Sequence, residues 1–202
     1  MPITLSGSGT VSGISAGGLP SGVIQSANLA SGVGGKILQV VNVSSTADGS
    51  IHCNPTQTLI DIPNQNLSIT PSATTSKILI SFQQFGETST SSHVYSLVLK
   101  RAISGGATSY IRGDKQSGVN RIEVMTMLGS AYHGDDNDTT PEVAHCSNYV
   151  DSPNTTSAIT YTLQIQNHES TGYYYYNRTL RDDSANHSER GLSWLTAIEV
   201  AA

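Results

Sequence analysis

The sequence predicts an all-β, antiparallel β-sandwich preceded by an extended N-terminal arm, and three observations carry that reading. Ser and Thr together number 50 of the 202 residues and Gly another 19, while only 12% of residues are charged, a composition of short strands and polar turns. Ile159, Tyr161, Leu163 and Ile165 alternate with Thr160, Thr162, Gln164 and Gln166, the period-two pattern of a strand with one dry and one wet face. Finally, the first charged side chain is Lys36, so the composition changes abruptly there. The chain is long enough for one β-rich domain with an arm and too short for a large multidomain enzyme.

Residues 1–35 hold nine glycines and seven serines and no side-chain charge. Disordered linkers usually carry solvating charge. This segment instead spaces single apolar residues along its length, among them Leu19, Val23, Leu29 and Val33. A ten-residue echo, LPSGV at 19–23 and LASGV at 29–33, suits an extended segment better than a solenoid. The segment therefore reads as an attachment arm whose anchors are those four residues, ordered only where a partner surface offsets its conformational entropy.

From Lys36 to residue 202 the pattern is one of strands separated by turns: Ile37–Val43, Leu67–Thr70, Ile78–Phe82, Val94–Lys100, Ile122–Leu128, Val143–Val150, Ile159–Ile165, Tyr173–Asn177 and Leu192–Val200. Breakers stand between them, as at Pro71-Ser72, Ser104-Gly105-Gly106, Gly134 to Pro141 and Ser152-Pro153-Asn154. Strands at this spacing pack as a sandwich. In the last strand Leu192, Trp194, Ile198 and Val200 share one face, which predicts that Trp194 plugs the core. Around Val94–Leu99 both faces are apolar, so one face is expected to need cover from another subunit.

Chemistry-bearing constellations are few. Cys53 and Cys146 each follow a histidine, His52 and His145, which matches the stoichiometry of a zinc site; adjacent residues on a strand point to opposite faces, however, and no Cys-x-x-Cys spacing is present. Two free, partly buried thiols are the simpler expectation, with no metal and no other cofactor. The acidic run Asp135-Asp136-Asn137-Asp138 lacks the glycine and the distal glutamate of an EF-hand loop and reads as a hairpin tip. Arg112-Gly113-Asp114 is ordinary turn chemistry. The one Gly-x-Ser-x-Gly match, Gly13 to Gly17, lies in the chargeless Gly/Ser-rich arm and not between a strand and a helix, and the nearest carboxylate group, Asp182-Asp183 with Glu189, has the spacing of a surface loop, so a non-enzymatic protein is expected. The ten basic residues are scattered, which argues against nucleic acid, and no run of about 18 apolar residues or signal-peptide pattern suggests a membrane or secretion. The unusual feature is Tyr173-Tyr174-Tyr175-Tyr176: alternation puts Tyr173 and Tyr175 on one face and Tyr174 and Tyr176 on the other, one pair packing inward and the other lining a subunit interface or a glycan-binding surface.

Four segments carry a resemblance: LPSGVIQSANLASGVGGKILQVV at 19–41, ITPSATTSKILIS at 69–81, DSPNTTSAITYTL at 151–163 and WLTAIEVA at 194–201. Together they resemble a group of virion structural and tail-fibre proteins of tailed bacteriophages of marine and cyanobacterial hosts. The resemblance implies a jelly-roll-like sandwich, a homotrimer, and residence in a virion assembled in the host cytoplasm. It also implies partners among the capsid, neck or tail proteins, held through residues 1–35. It leaves open an appendage subunit, a capsid decoration or cement protein, and a receptor-binding module contacting host surface polysaccharide.

Overall fold

The computed structural model describes residues 36–55, 58–90, 94–114, 121–130, 140–169, 171–186 and 188–202. The arm over 1–35, with Leu19, Val23, Leu29 and Val33, lies outside these residues, as does the acidic run at 135–138.

The described residues form twelve strands: β1 (Ile37–Ser45), β2 (Gly49–Cys53), β3 (Ile60–Ile69), β4 (Lys77–Thr88), β5 (Tyr95–Ile103), β6 (Thr108–Ile111), β7 (Thr126–Met127), β8 (Gly129–Ser130), β9 (Glu142–Asp151), β10 (Ile159–Asn167), β11 (Gly172–Tyr176) and β12 (Ser193–Val200). All pairings are antiparallel. At Ile80, β4 pairs with Ala197 of β12 on one edge and with Tyr149 of β9 on the other. The first sheet therefore runs β1, β12, β4, β9, and the second β3, β10, β5, β6. If the eight strands β1, β3, β4, β5, β6, β9, β10 and β12 are counted in chain order, the first layer is 1-8-3-6 and the second 2-7-4-5. This is the strand order of a jelly roll.

The sequence readings at β1, β5, β9 and β10 agree with the strands found to within a few residues. Those at β11 and β12 agree to within one residue, although the inward face of β12 does not, and the remaining strands differ. β3 begins at Ile60 and runs through Pro63, because it is an edge strand whose pairing with β10 slips between Asp61 and Asn66, and Asn64 takes a left-handed conformation (φ 60°). β2 and β6 carry too few apolar residues to be read from pattern. Over 122–128 only Thr126–Met127 is strand.

The core comes from alternate residues of the inner strands: Ile78, Ile80 and Phe82 of β4 and Leu195 and Ala197 of β12 face Leu97 and Leu99 of β5 and Ile159, Tyr161, Leu163 and Ile165 of β10. The parity of β12 is opposite to that predicted. Ser193, Leu195, Ala197 and Glu199 point inward, whereas Trp194, Ile198 and Val200 are half-buried on the outer face and Leu192 is exposed. Trp194 is thus not a core plug; it lies across from Ser44 of β1 and Gln83 of β4. The outward parity is the more apolar of the two, but the inward one sets small Ala197 opposite Ile80 in the middle of the layer and finds partners for its polar members, Ser193 with Asn177 and Glu199 with Ser72 and Gln39. A second correction concerns β5: Val94, Tyr95, Leu97, Val98 and Leu99 are all buried within one chain, so no subunit is needed to cover a second face there.

Buried polar groups tie the layers together. Asp151 of β9 accepts hydrogen bonds from the Tyr161 hydroxyl (2.6 Å) and from Arg101 Nη1 (2.6 Å), both in the opposite sheet. Burial, and then the Asp151 carboxylate, push the Tyr161 hydroxyl well above the usual phenol range. At the same end Glu199 accepts from Ser72 N (2.6 Å) and Gln39 Nε2 (2.6 Å); burial opposes its ionisation, yet the hydrogen bonds hold it below the usual carboxylate range.

The parity of β12 is testable by truncation. Leu195→Ala should destabilise the fold by about 2–5 kcal/mol through lost burial and a cavity, while Trp194→Ala, although it removes more atoms, should cost less than Leu195→Ala in urea unfolding. The reverse order would return Trp194 to the core.

Candidate functional site

The tetratyrosine segment is β11, and its alternation is as predicted. Tyr174 is fully buried and Tyr176 packs against the core, whereas Tyr173 is 44% exposed and Tyr175 is half-buried on the outside. β11 lies between β2 and the end of β4, pairing Tyr173 with His52 and Tyr174 with Thr88. Two glycines admit the inner rings: a methyl group at Gly49 would collide with the Tyr176 ring, and one at Gly86 with the Tyr175 carbonyl and the Tyr174 hydroxyl. The Tyr174 hydroxyl donates to Phe85 O (3.0 Å) and accepts from Gln84 Nε2 (3.0 Å).

The sheet is interrupted next to this segment. At Gly86 the edge of β4 that carries β12 pairs instead with Tyr176, so β11 and β12 follow one another along the same edge, and β1 and β2 do so beside them. Residues 177–192 leave between Tyr176 and Ser193 and return. Asn177 closes the base of this excursion. It is buried and left-handed (φ 59°); its backbone N–H donates to Phe85 O (2.9 Å), its carbonyl accepts from Gly191 N (3.0 Å), and its Nδ2 donates to Ser45 O (3.0 Å) and Ala47 O (2.8 Å). Ser193 Oγ donates to its Oδ1.

Outside, the excursion extends the tyrosines into a mixed aromatic and charged patch. The His52 and Tyr173 rings lie 4.9 Å apart, Tyr173 and Tyr175 6.2 Å apart, and the Arg178 guanidinium sits 4.4 Å from the centre of the Tyr175 ring. Arg178 also approaches Asp48 (3.6 Å), which forms an ion pair with Arg190, and Arg190 in turn meets Asp182 (2.5 Å). Asp183 holds the loop's own turn: the Ser188 hydroxyl and then the Ala185 N–H lower its carboxyl to about 2. Flat rings flanked by both signs of charge can stack on an apolar face of a ligand and hydrogen-bond its polar rim. For this patch the sequence pointed to the tyrosines alone; it singled out His52 and Asp182 only within other constellations. Arg178, Asp182 and Arg190 are brought to the patch by the excursion and Asp48 by the turn between β1 and β2.

Next to the patch, on β4 and β9, lie two buried carboxylates, Glu87 directly across from Tyr175. Glu87 accepts from Thr140 N (3.1 Å) and from Leu180 N (2.7 Å) in the excursion. Glu142 accepts from Thr88 N (2.7 Å) and from the Thr88 hydroxyl (2.9 Å); burial pushes its carboxyl up to about 8, and the Glu87 charge adds to the shift.

The other candidates disperse. His52 and Cys53 take opposite faces, with Cys53 in the core and burial pushing its thiol up to about 11; His145 is exposed and Cys146 half-buried, and both cysteines are free. No group of three or more His, Cys, Asp or Glu suited to a metal occurs among the described residues. Arg112 pairs with Glu123 (2.6 Å), which engages the cation of the Arg-Gly-Asp tripeptide.

No family model and no curated protein matches the chain. Among solved structures it is similar to the infectious bursal disease virus VP2 subviral particle over 81% of its length, with a TM-score of 0.35 and 13% identity. It is likewise similar to the structure of the Gt strain of that virus, again over 81%, with a TM-score of 0.34 and 12% identity. The chain spans 41% and 37% of those chains. Its jelly-roll assignment rests on the strand order described above.

The Glu142 carboxyl makes stability pH-dependent. Its pKa is raised in the fold, so the folded state binds the extra proton between about 4.5 and about 8, and stability should fall as pH rises through that window. Glu142→Gln should flatten this slope, by at most about 5 kcal/mol in total, when urea unfolding is followed at pH 5 and pH 8.5. An unchanged slope in the variant would show that Glu142 is not its source.

Proposed function

We propose that this chain is a non-enzymatic structural subunit of a tailed-phage particle, an appendage protein of the fibre, tail or neck, in which residues 1–35 attach the subunit and residues 36–202 are displayed. The observation that supports this reading most is the pairing of a jelly-roll body with a preceding segment of 35 residues that has no side-chain charge. Such a segment, with Leu19, Val23, Leu29 and Val33 spaced singly among glycines, suits a role of lying on other virion proteins. Each anchor can contribute up to about 1.5–3 kcal/mol on burial, against an ordering cost of about 1–2 kcal/mol per residue. Single arms are therefore weak, and attachment depends on several copies engaging together. A decoration or cement protein on the shell uses the same division of labour and differs in the surface that receives the arm.

The full-length chain carrying Leu19→Ser, Val23→Ser, Leu29→Ser and Val33→Ser should remain folded and soluble but be largely missing from purified particles. Normal occupancy would place attachment on the body instead.

The patch of His52, Tyr173, Tyr175 and Arg178 favours a second reading, a glycan contact made by the displayed body with host surface polysaccharide. Wild-type protein should then bind specific glycans on an array, and Tyr173→Ala, at an exposed position, should lose that binding while its melting transition is unchanged. Equal binding by the two proteins would remove the patch from any such role.

A further inference from the structure

Every open sheet has edges, and unprotected edges pair with other chains; proteins guard them with charge, proline, bulges or shortness. The edges of this sandwich are unequally guarded. β3, the edge of the second sheet, carries Asp61, Pro63 and the left-handed Asn64 at a break in its register. β9 is broken by a register shift at the left-handed Asn148 and ends in Asp151. β6 has four residues. β1 is the least protected: residues 37–47 contain neither a charged residue nor a proline, its one register shift lies at its very start, between Ile37 and Gln39, and pairing with β12 is regular from there to Ser45. Among the described residues its other edge pairs with nothing.

The outer face beside that edge is also apolar. Val40 of β1 (59% exposed) lies across from Ile198 of β12, which lies across from Leu79 of β4 and then Val150 of β9 (53% exposed). Ile37 and Leu38, also exposed, flank this row at the start of β1.

We infer that β1 is a pairing edge for a second copy of this chain, joined antiparallel to its own counterpart across a two-fold axis so that the first sheets of two subunits become continuous. Self-pairing follows from the inequality of the edges: the other described edges are broken in mid-strand, charged, interrupted by proline or short, whereas β1 runs regularly for seven residues beyond its start, which leaves β1 of one copy as the suitable partner for β1 of another. A two-fold contact of this kind is isologous, using the same residues on both sides. It also sets the two exposed apolar rows side by side. The contact is distinct from the three-fold assembly implied by the sequence resemblance.

The test uses the full chain. Sedimentation at micromolar concentration should give twice the 21.3 kDa mass of the chain, and the β1 amides should gain protection from hydrogen exchange as concentration rises. Val40→Lys with Ser44→Lys places charges on two exposed positions of β1, where like charges from the two copies meet; association should weaken at least about tenfold with an unchanged melting transition. The matching pair on the guarded edge, Asn66→Lys with Ser68→Lys, should leave the dimer intact. A wild-type monomer or trimer, a dimer that survives the β1 lysines, or a monomer whose β1 amides are protected at every concentration would each overturn the inference, the last by showing that another strand of the same chain covers the edge.

Discussion

The structure depends on the way Asn177 closes an interrupted strand. Two strands, β11 and β12, must share one edge of β4 although 16 residues separate them in sequence, and the chain must leave and rejoin that edge without opening it. A left-handed residue makes the turn outward, and its backbone and side chain bond to Phe85, Gly191, Ser193, Ser45 and Ala47. Asparagine tolerates that conformation better than most residues and brings an amide that satisfies two carbonyls at once. The register of β12 against both β4 and β1, and hence which of its faces enters the core, is anchored here.

The ends of the sandwich are held by buried carboxylates in contrasting ways. Asp151 and Glu199 meet donors from other strands and loops, and Glu199 stays ionised below its usual range, so its contribution is present near neutrality and is lost in acid. Glu142, at the opposite end, has Glu87 as a neighbour and is held nearer its neutral form. The second end also carries the aromatic patch, on the strand that pairs with β4 beside Glu87. Glu87 reaches the excursion itself through Leu180 N and thereby couples the buried pair to the loop that supplies Arg178 and Arg190.

The surfaces of the body divide along the same axis. The start of β1 and the row from Val40 to Val150 form an apolar region at the Glu199 end, while the rings and ion pairs of β2, β11 and the excursion gather at the Glu142 end.

Several elements were legible from local pattern alone. Alternation at Ile159–Ile165 and at Tyr173–Tyr176 identified strands and separated the outer from the inner tyrosines, because side chains on a strand must alternate whatever it packs against. Composition identified an all-β chain and the change at Lys36. Alternation favours the more apolar parity as the inward one and so points Trp194 to the core, whereas neighbouring strands place Leu195 and Ala197 there and supply partners for Ser193 and Glu199. Nor can it show that Val98 is already covered, that Pro63 stands in an edge strand, or that Glu87 and Glu142, 55 residues apart in sequence, share one buried site. Strand periodicity is a property of a dozen neighbouring residues, whereas parity, edge position and the pairing of distant carboxylates are decided by which strands lie side by side, and only the folded sandwich contains that information.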